Sequence, residues 1–270
     1  MRDTGPMSAP LVLGSSRGPQ IVKGADLVDE PGWRAGTVVV HGDAWSSPLS
    51  PPDFPLWLVR GTLESGASLH WQLPHGDEVV YVLSGELDVD GRVCPTGGTV
   101  VVESGVAARA FARGITRVVH FGPVDPLPPT AFAGAPEQDG HCTHVIGPAG
   151  TYQCIEGTRD TRYYMDSTCR TCRATLLYTG RAEAYESSAH SHSTDEIIYM
   201  LTGGVKFGAY TVDTGDAMCV AKDVRYKFTS DSFLILNYRR DGSYQTIDRD
   251  KPPILEGGAV HNFTPVMDLR

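Results

Sequence analysis

Two stretches of this chain are near copies of each other. Asp77-Glu78-Val79-Val80-Tyr81-Val82-Leu83-Ser84-Gly85 and Asp195-Glu196-Ile197-Ile198-Tyr199-Met200-Leu201-Thr202-Gly203 carry the same or a closely similar residue at every position. Glu78 and Glu196 stand 118 positions apart, and the same offset carries Gly97 onto Gly215. The strands and turn between these landmarks therefore have matched lengths, which points to a duplicated unit rather than coincidence. A chain of 270 residues has the bulk for two such units, each with a buried core.

The unit reads as β. Short β-branched runs such as TVVV, DEVVYVL and DEIIYML lie between turn signals, and 30 glycines and 19 prolines supply the punctuation. That pattern favours an all-β barrel or sandwich over alternating strands and helices. Between the copies, Gly122-Pro123-Val124-Asp125-Pro126-Leu127-Pro128-Pro129 is rich in a residue that cannot donate to a ladder, so it reads as a connection. The expected division is an N-terminal arm or lead-in strand over 1–35, a first barrel over 36–122, a linker over 123–150, a second barrel over 151–249 and a tail over 250–270.

Charge narrows the partners. A net charge of -9 and a pI near 5.4 argue against a nucleic-acid backbone or an anionic membrane surface. A small-molecule substrate is expected, with no nucleic acid and no membrane as partner, and with self-association into a homodimer allowed. The opening residues MRDTGPMSAPLVLG lack a signal-type apolar run, and no stretch approaches the length of a membrane span. Six cysteines at irregular spacing do not make a disulfide framework in a chain of this length. The expected location is cytoplasmic.

His190-Ser191-His192 and Glu196 supply the chemistry. Histidines at i and i+2 of a strand share a face, and a carboxylate four residues on can return to it after a short turn. Two imidazoles and one carboxylate form a facial set with open positions, suited to iron, manganese, nickel or zinc.

The run His190-x-His192-x3-Glu196-x6-Gly203, followed by Gly215-Asp216, resembles the first motif and the opening of the second motif of the cupin superfamily. The resemblance covers most of the chain, as a two-barrel bicupin. It implies two tandem jelly-roll β-barrels and a divalent metal held by three histidines and a glutamate. The second motif departs from the pattern: Ala221 stands at the family's proline, Asp223 at its glycine and Tyr226 at its third histidine. A phenol ligates poorly until it ionises, although a dication favours the phenolate. Tyr226 is thus a candidate metal ligand beside His190, His192 and Glu196, a candidate acid or base together with Glu196, or a space-filler.

The same offset maps His190 onto Gln72, His192 onto Pro74 and Tyr226 onto Ala108, leaving Glu78 alone in the first copy. An isolated carboxylate holds a dication badly. One metal ion is expected, in the second barrel only, with Fe2+ ahead of Mn2+, Ni2+ and Zn2+, and the first barrel is left as scaffold, dimer surface or lid. Strand parity puts Ile198 and Met200 on the side of Glu196, and Phe228 on that of Tyr226; with Tyr178, on the strand leading to the histidines, these form a candidate substrate pocket. Apolar barrel core is the competing reading of all four.

The resemblance implies a metal-dependent enzyme acting on a small organic molecule, with a non-haem iron oxygenase of dioxygenase type preferred. A non-oxidative isomerase, cyclase, decarboxylase or lyase is the alternative, and a non-catalytic ligand-binding or structural bicupin is the third. Cys169-x2-Cys172, with His141, Cys142, His144 and Cys154 upstream, lacks the second tight pair of a finger or ribbon zinc site, so buried or edge thiols are expected. His120 and His261 stand alone and read as structural.

Overall fold

The computed structural model describes residues 10–15, 17–35, 37–72, 74–125, 140–166, 169–240, 243–255 and 264–265. His261 lies outside them. The fold is all-β, two tandem cupin-type jelly-roll barrels built from antiparallel sheets. Among the described residues the helical turns are short 3-10 segments at Gly24–Asp26 and Pro148–Gly150, and no helix is long and apolar enough to cross a membrane.

The repeat in sequence is a repeat in register. Strand Glu78–Ser84 pairs with Thr99–Val102 so that Glu78 faces Val102 and Tyr81 faces Thr99. Strand Glu196–Phe207 pairs with Ala217–Val220 so that Glu196 faces Val220 and Tyr199 faces Ala217. On their other side these strands meet Thr116–Pro123 and Phe233–Arg240, where Val80 faces His120 and Ile198 faces Asn237. Gly85 and Gly203 close the repeats with φ of 84° and 76°, and a Cβ on Gly203 would lie 2.2 Å from the Ser232 carbonyl oxygen. The repeated glycine is therefore a backbone requirement.

Period-two alternation sorts the side chains of these strands into two cores. Val80 and Val82 fill the first barrel with Leu69, Trp71 and Leu87, and Ile198 and Met200 fill the second with Val205, Phe207 and Val212. The alternate positions Val79, Tyr81, Ile197 and Tyr199 belong to a third cluster shared by both halves. There Phe121 stacks on Tyr238 at 5.4 Å between ring centroids, and the Tyr238 hydroxyl donates to the Asp77 carbonyl.

Each barrel also borrows an edge strand. Gln20–Val22 of the arm pairs with Ala217–Val220 of the second barrel, and Thr143–Ile146, within the stretch expected to be linker, pairs with Thr99–Val102 of the first. Both guests lie on the repeat-equivalent edge, whose open N–H and C=O groups they satisfy. The arm is pinned by Asp216, which accepts hydrogen bonds from Gly24 N, Asp213 N and Lys23 Nζ.

Candidate metal centre

The second barrel holds a cavity of about 280 Å3 with His190, His192, Tyr226, Asn237 and Arg239 in its lining. His190 and Tyr226 are cross-strand partners, each backbone N–H donating to the other's carbonyl at 2.9 Å. Their rings stand 4.5 Å apart, with the His192 ring 5.1 Å from that of His190. His190 Nδ1 lies 2.8 Å from the Ser188 carbonyl; a proton on Nδ1 satisfies that contact and leaves Nε2 as the basic nitrogen.

Glu196 is fully buried beside them. Its Oε1 accepts the Tyr226 hydroxyl at 2.5 Å and lies 3.8 Å from His192 Nε2. Its Oε2 accepts Asn237 Nδ2 at 2.8 Å and the Arg239 guanidinium at 3.0–3.1 Å. Burial alone would push this carboxyl up, but His192 and Arg239, with the hydrogen bonds from Tyr226 and Asn237, outweigh it and hold Glu196 below its ordinary value. The group is a carboxylate at neutral pH, the form in which it could hold a cation.

In donor type the set suits a divalent ion, with two imidazoles, an ionised carboxylate and a phenol side by side, although the ligand atoms of His190, His192 and Glu196 do not all fall within 4.8 Å of one another and would have to close on an ion. His190, His192, Glu196 and Tyr226 would hold it. Asn237 and Arg239 were not singled out from sequence, though the signal was available. They are two polar residues at i and i+2 in the apolar strand FLILNYRR, on the face that Ile198 shares. Arg239 also lies 3.5 Å from His192 Nε2, so a metal here shares its carboxylate with a fixed cation.

The candidate pocket residues separate. Ile198 and Phe228 line the cavity, together with Leu177, Thr179 and Ile235. Met200 is packed wholly in the barrel core below it. Tyr178 lies on the other side of its strand: Leu177, Thr179 and Arg181 turn to the cavity, so parity sends Tyr178 to the core between the barrels, where Arg162 sits over its ring.

The first barrel has the corresponding place filled. Trp71, not Gln72, is the cross-strand partner of Ala108, because one more residue separates it from Glu78 than separates His190 from Glu196. Trp71 Nε1 donates to Glu78 Oε2 at 2.8 Å, and His120 Nε2 lies 2.9 Å from the same oxygen. Where the second barrel has Arg239, the first has Gly122, with the Trp57 ring in the space a Cβ would need. His120, expected to be structural, is fully buried beside this carboxylate and enclosed by Trp33, Trp57 and Trp71.

No protein-family model matches the sequence, and no curated protein matches it. Solved structures do. The chain is similar to the protein Ylba from E. coli at 12% identity, covering 85% of this chain and 93% of that one with a TM-score of 0.60. It is similar to a candidate dioxygenase from Nostoc punctiforme at 12% identity, 91% and 88% coverage and a TM-score of 0.62. Bacillus subtilis oxalate decarboxylase, a protein with Mn(II) centres, matches at 14% identity, 82% and 77% coverage and a TM-score of 0.56. At these identities the likeness is one of fold, and it spans both barrels.

Proposed function

We propose that the chain is a metal-dependent cupin enzyme whose second barrel takes a small organic acid. The observation that carries the reading is the sign of the cavity. Among the described residues lining it, Arg159 and Arg181 join His190 and His192 and none is acidic, while Arg239, also in the lining, is held in its ion pair with the buried Glu196. A chain with a net charge of -9 has concentrated cations at one concave site, which favours an anionic ligand. A guanidinium such as that of Arg181, half-buried over the Tyr185 ring, suits a carboxylate by its paired N–H donors.

A bound divalent ion would act as Lewis acid and template, with oxygen activation available if it is Fe2+. The chain's own residues supply the rest. His192 and Arg239 keep Glu196 ionised, the Tyr226 hydroxyl oxygen lies 2.5 Å from that carboxylate and donates its proton to it, and Ile198, Phe228, Phe233 and Ile235 give the cavity an apolar wall. Dioxygenase chemistry on the organic acid remains the preferred form. The Nostoc neighbour and the two-histidine, one-carboxylate set support it. The Tyr226–Glu196 proton contact favours a second form, non-oxidative isomerisation or decarboxylation, in which Tyr226 moves a proton. The oxalate decarboxylase neighbour supports that form.

The test loads purified protein separately with Fe2+ and Mn2+ and titrates a panel of small mono- and dicarboxylates by calorimetry, with an oxygen electrode on the iron form. Binding of a carboxylate that Arg181→Gln weakens at least tenfold is expected. Oxygen uptake dependent on that acid marks the oxygenase; turnover without uptake marks the second form. Failure of every carboxylate to bind either metal form overturns the reading.

A further inference from the structure

A second cluster of metal-ligating side chains lies outside the barrel cavity, where the segment after the first barrel folds back on it. Glu103 ends the strand Thr99–Val102 and is fully buried. Around its Oε1 stand His144 Nε2 at 2.5 Å, Thr171 Oγ1 at 3.1 Å and Cys169 Sγ at 3.6 Å. Cys142 Sγ lies 3.5 Å from the same His144 nitrogen. The ligand atoms of Glu103, Cys142 and His144 all fall within 4.8 Å of one another, and Cys169 stands outside this trio against Glu103, from where its sulfur would have to move inward to share an ion.

These separations can be compared with the edges of a zinc tetrahedron. With Zn–S near 2.3 Å and Zn–N or Zn–O near 2.0–2.1 Å, sulfur-to-nitrogen and sulfur-to-oxygen edges are about 3.5 Å. The Cys142–His144 and Cys169–Glu103 distances match that edge. The His144–Glu103 contact is a hydrogen-bond distance, and an ion between them would have to part the pair slightly. Two surrounding contacts are of the kind that support ligands. The Cys172 backbone N–H donates to Cys169 Sγ at 3.4 Å, which favours the thiolate. His141 Nδ1 lies 3.1 Å from Glu103 Oε2, on the oxygen away from the cluster.

We infer that Cys142, His144, Glu103 and Cys169 form a structural zinc site. Two thiolates, an imidazole and a carboxylate make a softer set than the nitrogen and oxygen donors of the second barrel, and they select zinc over manganese or magnesium. Binding displaces the thiol protons to solvent and leaves no open position, so the site is structural rather than catalytic. Its ligands come from three segments. Glu103 belongs to the first barrel, Cys142 and His144 to the strand that covers that barrel's edge, and Cys169 to the loop entering the second barrel's strand Ala174–Arg181. One ion would therefore clamp the connection between the barrels. Only one cysteine of Cys169-x2-Cys172 takes part; Cys172 is buried, its sulfur accepting the Ala174 N–H.

The test uses the full chain, kept reduced, equilibrated with Zn2+ and desalted, with zinc measured by mass spectrometry and Co2+ used as a spectroscopic probe. The expected result is about one equivalent of zinc that survives the His190→Ala/His192→Ala double substitution. Cys142→Ser or His144→Ala should weaken it at least tenfold. The Co2+ form of the unaltered chain should show thiolate-to-metal charge transfer, and Zn2+ should slow alkylation of exposed Cys142 until a chelator is added. A Co2+ spectrum without thiolate charge transfer, or alkylation indifferent to Zn2+, overturns the inference. Both readouts use the unaltered protein, so a variant that fails to fold does not stop the test.

Discussion

Glu196 collects more of the second barrel's chemistry than any other side chain. A buried carboxylate survives only when paired and hydrogen-bonded, and here the donors around it come from two places in the fold. Tyr226 stands across from His190, and Asn237 and Arg239 stand on the last barrel strand. Arg239→Met leaves this charge buried with its ion pair broken, so urea unfolding should show a loss of about 3–5 kcal/mol. Tyr226→Phe removes one hydrogen bond to a charged acceptor and should cost about 1.5–3 kcal/mol. If the two act through Glu196, combining each with Glu196→Gln should cost distinctly less than the sum of the single losses. Full additivity would mean that Tyr226 and Arg239 stabilise the barrel by packing alone.

At the scale of the strand, what sequence could disclose follows from how far each signal reaches. The 118-residue offset reported the paired strands, their register and the glycine turns, because a strand of seven or more residues carries a readable alternation. The borrowed edges were not legible. Gln20–Val22 and Thr143–Ile146 are three and four residues long, too short for a period, and their partners are remote in sequence. Gln72, mapped by the offset, and Tyr178, placed only by its strand, show two ways such a reading slips. One inserted residue shifted the first, and for the second the phase of the strand was not fixed by any landmark. Glu103 had no signal, since a single acid after TVVV resembles any strand end.

Two element-level outcomes follow. Asp216→Ala strips the acceptor from Gly24 N and Asp213 N and takes the buried carboxylate from Lys23, which keeps Asp213. Hydrogen exchange should rise first at Gln20–Val22 and its partner strand Ala217–Val220, at a cost of about 1–3 kcal/mol. Gly203→Ala places a Cβ against the Ser232 carbonyl at positive φ, and should destabilise by at least about 1–2 kcal/mol. An unchanged denaturation midpoint for this variant would show that the turn tolerates another backbone path.

For the whole molecule the question is whether two barrels make one folding unit or two. Each has its own apolar filling, yet a third cluster of comparable size draws on both, and repeat-equivalent strands meet in it back to back. Phe121 and Tyr238 stack at its centre, both fully buried, and Tyr238 reaches across to Asp77 through its hydroxyl. The exchanged edge strands add backbone ladders from outside each barrel. Neither barrel can leave without exposing this surface, so calorimetry of the intact chain should show a single cooperative transition. Phe121→Ala removes one half of the stack and should cost about 3–5 kcal/mol. Because the loss falls on the shared surface rather than on either filling, the variant should melt in two resolved steps. A single sharp transition at lower temperature would instead mean that the borrowed strands suffice to couple the barrels.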